Sequence, residues 1–217
     1  MADLNDKAEF NGYGFGDDSY APCTYIESYN YGPNSVTSID DFYPYFTSDS
    51  TIETEALAIT AYPTGPSPLF GTDYFIKDGY AGLGYHAMLN GDTLTYGADF
   101  YKALPHKTVL NTYFKLLLTP RKLYIDDVLI REQTPATKPF QPKLKIFQCT
   151  TGTYFFRGRM HYFKIWKGEK LCNRLIPLYH RKTKMFGLYD SETKQWHLSF
   201  DAARRKFLGG IEPEYTT

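Results

Sequence analysis

Apolar side chains in this chain alternate with polar ones over short stretches. Residues 50–62, STIETEALAITAY, put Glu53, Glu55, Leu57, Ile59 and Ala61 on one side, and Thr54, Ala56, Ala58 and Thr60 on the other. A period of two with Thr and Ile enrichment predicts a strand. The same rhythm recurs at Tyr25–Ile26, Leu69–Phe70, GLGYHAML, LTYGADFY, KLYI, VLI and KLKIFQCT. It continues through RMHYFKIWKG, the stretch around Leu175–Leu178, FGLYD and QWHLSF. Turn chemistry separates these runs: Gly32-Pro33-Asn34, Asn90-Gly91-Asp92, Thr119-Pro120-Arg121, Asp126-Asp127 and Ser191-Glu192-Thr193. The pattern predicts about ten to thirteen short strands, with one short helix over 201–208 (DAARRKFL). Many strands without intervening helices predict an all-β antiparallel fold, a sandwich or a barrel. Residues 1–20 carry little periodicity and read as an extended arm, leaving 21–217 as the sandwich domain.

Within RMHYFKIWKG the alternation predicts a buried face of His161, Phe163 and Ile165. Met160, Tyr162, Lys164 and Trp166 fall on the wetter face. Basic and aromatic residues are interleaved here because one face is core and the other is solvent. His161 is expected to be a hydrogen-bonded structural histidine.

Composition adds two points. The chain holds 20 Tyr, 16 Phe and 2 Trp, which suit half-buried strands and contact surfaces alike. Its net charge of zero is split: residues 1–101 carry 2 bases and 15 acids (2 − 15 = −13), and residues 102–217 carry 22 bases and 9 acids (22 − 9 = +13). The simplest account is that early and late strands interleave in one sandwich and neutralise each other. An acidic N-terminal segment docking on a basic partner is the other. Three Cys without a CxxC argue against a disulfide framework or a zinc site. Cys149 and Cys172 are expected to be buried thiols. The start, MADLNDKAEFNGYGFGDD, has no apolar signal region, and no run approaches the ~18 residues needed to span a bilayer. Gly12-Tyr13-Gly14-Phe15 lacks the flanking base and the mixed α and β context of an RNA-binding run, so neither nucleic acid nor membrane is an expected partner.

Several pieces together resemble a family. Lys164-Ile165-Trp166, residues 171–174, Leu175-Ile176-Pro177 and Phe186-Gly187-Leu188-Tyr189-Asp190 follow its C-terminal pattern. Tyr25-Ile26-Glu27-Ser28, Pro68-Leu69-Phe70-Gly71 and Leu123-Tyr124-Ile125-Asp126-Asp127-Val128-Leu129 precede them in the same order. Over roughly residues 23–210 the chain is similar to concanavalin A-like, laminin-G-like jelly-roll domains of bacteriophage structural proteins and gut-bacterial proteins. Leu178 stands where that pattern has Cys. The resemblance implies a two-sheet antiparallel jelly-roll sandwich of the lectin and glucanase type. Gly187 would permit close approach where Leu188 and Tyr189 enter the core, and Asp190 would cap a turn. Pro177 fits an edge or a bulge.

No catalytic constellation stands out. The Glu-x-Asp-x-x-Glu strand of jelly-roll glucanases is missing, and Glu53-Thr54-Glu55 lacks its central Asp and third carboxylate, so both Glu are expected to be solvated. The five His show no HxH or HExxH spacing. No cofactor is expected; Asp40, Asp41, Asp73, Asp78, Asp92 and Asp99 could supply calcium ligands at the sandwich rim, though acidic turns are more often solvated. The expectation is a non-enzymatic bacteriophage virion protein, made in the host cytoplasm, that decorates the capsid or forms part of a fibre within a homo-oligomer or larger assembly. Its arm would bind other virion proteins, and Tyr13, Phe15, Tyr29, Tyr31, Tyr43 and Tyr45 would contact host-surface glycans or sister subunits. A bacterial carbohydrate-binding module is the alternative, and a glycoside hydrolase the third reading.

Overall fold

The computed structural model describes residues 19–29, 38–42, 44, 49–60, 66–72, 86–90, 93–97, 102–107, 109–132, 144–148, 156–199 and 206–212. These form strands β1 (Tyr20–Pro22), β2 (Tyr25–Tyr29), β3 (Ile39–Phe42), β4 (Ser50–Thr60), β5 (Pro66–Thr72) and β6 (His86–Asn90). There follow β7 (Thr93–Gly97), β8 (Lys102–Lys107), β9 (Phe114–Leu118), β10 (Lys122–Ile125), β11 (Val128–Glu132) and β12 (Leu144–Ile146). The series closes with β13 (Arg157–Lys167), β14 (Lys170–His180), β15 (Met185–Asp190), β16 (Gln195–His197) and β17 (Leu208–Gly210).

All pairings are antiparallel and divide between two sheets. The larger runs β11-β10-β9-β4-β13-β14-β15-β16, with β1 on β14, β2 on β13 and β17 on β2. The smaller runs β3-β12-β5-β6-β7-β8. No helix occurs among the described residues. The chain is thus an all-β antiparallel sandwich, one of the two folds that alternation predicts. It has more strands than expected: β1, β3, β8 and β17, of three to six residues, are too short or too irregular to display a period. The helix expected over 201–208 is corrected at its end. Phe207 bridges Phe186 and Leu208 opens β17, because the backbone there finds partners in β15 and β2.

The core lies between the sheets. Ile52, Ala56, Ala58, Leu116, Leu118, Phe163 and Ile165 come from the larger sheet, and Leu69, Phe70, Leu144 and Ile146 from the smaller. Phe70 and Phe163 meet edge to face at 5.3 Å across the gap, a geometry that matches ring edge to ring face. Local turn chemistry sets the register. Asp126 and Asp127 have φ of 51° and 64°, the two positive values a two-residue hairpin needs, and Asp126 Oδ1 accepts from Lys115 N at 2.8 Å. Thr119 Oγ1 accepts from Lys122 N at 2.8 Å across the β9–β10 turn.

The β15 segment places Gly187 and Asp190 as the sequence predicts. A Cβ on Gly187 would lie 2.6 Å from the His197 carbonyl oxygen and 2.8 Å from Trp196 Cζ2, so only glycine lets Trp196 lie this close. Asp190, fully buried, accepts from Glu192 N, Thr193 Oγ1, Asn173 Nδ2 and Arg174 N at 2.7–3.0 Å, capping the turn and tying it to β14. Leu188 enters the core cluster, and Tyr189 is buried as well but outside that cluster, since successive strand residues point to opposite faces. Pro177 sits where β14 passes from β13, which pairs up to Leu175, to β1, which pairs from Leu178. Its missing N–H therefore falls at a break in the ladder.

Candidate functional site

β4 lies at the middle of the larger sheet, between β9 and β13. Its Ile52, Thr54, Ala56 and Ala58 are buried toward the core, which sends Glu53, Glu55 and Leu57 to the outer face. Basic partners from the late half of the chain meet those acids. Lys164 stands opposite Glu53 (Nζ–Oε1 3.8 Å), Lys115 is the register partner of Glu55, and Arg159 stands opposite Glu27 (Nε–Oε2 2.8 Å). The opposed charges of the two chain halves thus meet as cross-strand pairs.

A bulge between Met160 and Tyr162 on β13 corrects the expected faces. Met160, Phe163 and Ile165 point to the core; Tyr162, Lys164 and Trp166 point outward, as expected for those three. The extra residue puts His161 on the outer side with Arg159, where polar groups bury it. The bulged Tyr162 carbonyl accepts from Thr54 Oγ1 at 2.6 Å, so the irregularity is satisfied from within.

His161 organises a closed charge network. Its Nδ1 lies 2.8 Å from Glu55 Oε2 and its Nε2 lies 2.9 Å from Glu212 Oε2. Glu212 Oε1 also accepts from Arg159 Nη1 at 2.9 Å and Tyr113 Oη at 2.7 Å. The Tyr113 ring stacks on His161 at 3.9 Å, and the Arg159 guanidinium lies over Tyr25 at 4.2 Å. Each ring nitrogen thus faces one carboxylate oxygen, and a nitrogen that carries hydrogen donates to it. Glu55 is buried rather than solvated, a second correction, because β9 and β13 flank it on either side. Burial pushes its carboxyl up, but the hydrogen bond and charge of His161, helped by Lys115, hold it below the usual glutamate range. Burial works against the Arg159 charge too, yet the bonds it donates to Glu27 and Glu212 hold its pKa above the ordinary one. Burial and the bond to Glu212 push the Tyr113 phenol up. Burial and the Glu53 charge do the same for Tyr162, whose hydroxyl donates to Glu53 at 2.8 Å. Both phenols therefore stay donors.

Two further features border the network. Lys164 Nζ lies 4.4 Å from the Tyr162 ring centroid and 5.9 Å from that of Trp166. Where the β13–β14 turn nears the β15–β16 turn, Lys170, Leu171, Cys172 and Glu192 line an open cleft of about 290 Å³. Leu171 is the register partner of Trp166 across the β13–β14 pair. On the far side of β14, Tyr20 packs against His180 at 4.9 Å and Trp196 at 5.6 Å.

Of the aromatic candidates, Tyr29 is the half-buried last residue of β2, opposite Arg157. Tyr13, Phe15, Tyr31, Tyr43 and Tyr45 lie outside the described residues. So do Asp73, Asp78, Asp92, Asp99 and Cys149; Asp40 and Asp41 are described only as part of β3. Among the described residues, no three or more His, Cys, Asp and Glu side chains are grouped to hold a metal ion. Cys172 is half-buried at the cleft, and burial pushes the Cys23 thiol up.

No protein-family model matches the chain, and no curated protein matches it. Solved structures with partial similarity include a candidate carbohydrate-binding protein from Bacteroides ovatus, at 15% identity and a TM-score of 0.49. The match covers 68% of this chain and 44% of that one. A Trypanosoma rangeli sialidase in complex with sialic acid matches at 15% identity and a TM-score of 0.43, over 54% of this chain and 20% of the sialidase. The alginate lyase AlgAT5 of polysaccharide lyase family 7 matches at 12% identity and 0.36, over 54% of this chain and 57% of the lyase. The chain thus spans less than two thirds of each of these proteins. Similarity at this level says nothing of activity.

Proposed function

We propose that this chain is a non-enzymatic glycan-binding sandwich that serves adhesion, with the outer face of the larger sheet meeting the sugar. The observation that carries this reading is the cleft between Lys170, Leu171, Cys172 and Glu192, whose Leu171 is the register partner of Trp166. Its volume of about 290 Å³ is at the small end for ligand sites. An indole offers a flat apolar face to sugar C–H groups, while an ammonium and a carboxylate at the rim can exchange hydrogen bonds with hydroxyls. A non-enzymatic role fits a face whose recessed acids are already held by His161, Arg159 and Tyr113. The setting we propose is a bacteriophage particle, where the chain would decorate the capsid or a fibre. That part rests on the C-terminal sequence pattern alone.

A glycan array probed with the full chain tests the binding. The expected result is a restricted set of hits that Trp166→Ala and Glu192→Ala each weaken about tenfold without changing the circular dichroism spectrum. An array without hits, or hits indifferent to both substitutions, refutes it. Mass spectrometry of purified phage particles tests the setting, which falls if the chain is missing from them.

A further inference from the structure

Glu212 occupies a site that has the form of a carboxylate receptor. Three side chains, two from β13 and one from the residue before β9, converge on its two oxygens: Arg159 Nη1 and Tyr113 Oη on Oε1, and His161 Nε2 on Oε2. Arginine paired with further charged or phenolic donors is the usual chemistry for holding a carboxylate. Two of the three have an anchor besides Glu212. Arg159 is held by Glu27 through Nε and lies over the Tyr25 ring. His161 is held by Glu55 through Nδ1 and stacks on Tyr113, which places that ring in turn. Those anchors keep the cradle's shape independent of Glu212. Removing Glu212 takes one negative charge from the network, and an incoming monoanion restores it.

The segment that carries Glu212 is short. β17 contributes three register pairs to β2, and beyond them Thr24 holds it through Thr24 N to Gly210 O (2.8 Å) and Glu212 N to Thr24 Oγ1 (3.0 Å). Phe207 at its start is anchored in the core, but Leu208 and Ile211 beyond it are about half exposed (49% and 53%), so little apolar burial fastens the part that follows. Short, weakly buried segments open at a lower free energy than the whole fold.

We propose that Arg159, Tyr113 and His161 form a carboxylate-binding cradle that Glu212 occupies as an internal ligand, and that an external carboxylate takes its place when the 208–212 segment lifts. The ligand class is a carboxylate group, as small organic acids and acidic sugars carry it. This site is separate from the cleft between Lys170 and Glu192, so either can fail alone.

The test titrates acetate, glucuronate and neutral glucose into the full chain and into Glu212→Ala by calorimetry at pH 7 and fixed ionic strength. The expected result is millimolar binding of acetate or glucuronate to Glu212→Ala, about tenfold or more tighter than to the unaltered chain, with none for glucose. Arg159→Ala in the Glu212→Ala background should abolish it. Preference for glucuronate over acetate would identify an acidic sugar as the source, and equal binding a simple organic acid. A folded Glu212→Ala that binds neither anion better than the unaltered chain overturns the proposal. If Glu212→Ala does not fold, hydrogen exchange on the unaltered chain decides. Acetate, against chloride at equal ionic strength, should speed exchange at the Thr24 and Glu212 amides while leaving β13 and β14 unchanged. Equal rates in both salts overturn the proposal.

Discussion

Replacing His161 with Ala removes the hub of the outer-face network. The ring touches two carboxylates, at 2.8 and 2.9 Å, and stacks on Tyr113 at 3.9 Å. Breaking a buried ion pair by deleting one partner costs about 3–5 kcal/mol. The lost ring stack adds about 0.5–1.5 kcal/mol. Glu212 keeps Arg159 and Tyr113, so its share falls at the low end, and a net loss of about 3–4 kcal/mol is expected. For a chain of this size that is a fall in Tm of roughly 10 °C. Urea unfolding at pH 7, followed by tryptophan fluorescence, measures it as a lower midpoint at constant slope. The pH dependence gives an independent check. The Glu55 carboxyl is depressed in the folded state, so its contribution is complete above the ordinary glutamate value of about 4.3 and is lost as pH falls through the folded value. The unaltered chain should therefore lose stability in acid faster than His161→Ala, and the two curves should converge. A loss under about 1 kcal/mol at pH 7, or parallel acid limbs, would refute the account of the network as a buried, charged tie.

Three further outcomes follow from the geometry. Asp190→Ala strips four donors of their buried acceptor and should cost about 3 kcal/mol or more in the same urea assay, with Asp190→Asn recovering part of it. Gly187→Ala places a methyl 2.6 Å from the His197 carbonyl oxygen and 2.8 Å from the Trp196 ring; it should cost about 1–3 kcal/mol and shift the near-ultraviolet dichroism of tryptophan. Burial lowers the His197 pKa, and its Nε2 meets no hydrogen-bond partner among the described residues. The unfolded chain then binds that proton more readily, so stability should fall as pH drops below about 6.5, and His197→Gln should flatten that slope.

Local chemistry determined what the sequence could show alone. Alternation over 50–62 marked β4 because a strand's side-chain period is two whatever lies beside it. Asp126-Asp127 marked the β10–β11 turn because Asp tolerates positive φ. Gly187 and Asp190 were legible because close approach and turn capping need few atoms. The split of acids and bases between chain halves pointed to interleaved strands, and the pairs Glu27–Arg159 and Glu53–Lys164 have that origin. The network itself was not legible. His161 and Glu55 are 106 residues apart, Tyr113 and Glu212 are 99 apart, and none of the four forms a motif with its chain neighbours. One bulge after Met160 then turned His161 from the expected core face to the outer one, and no period of two can announce an added residue. Which strands lie side by side was decided by packing between sheets, and that alone brought five titratable groups within hydrogen-bonding reach.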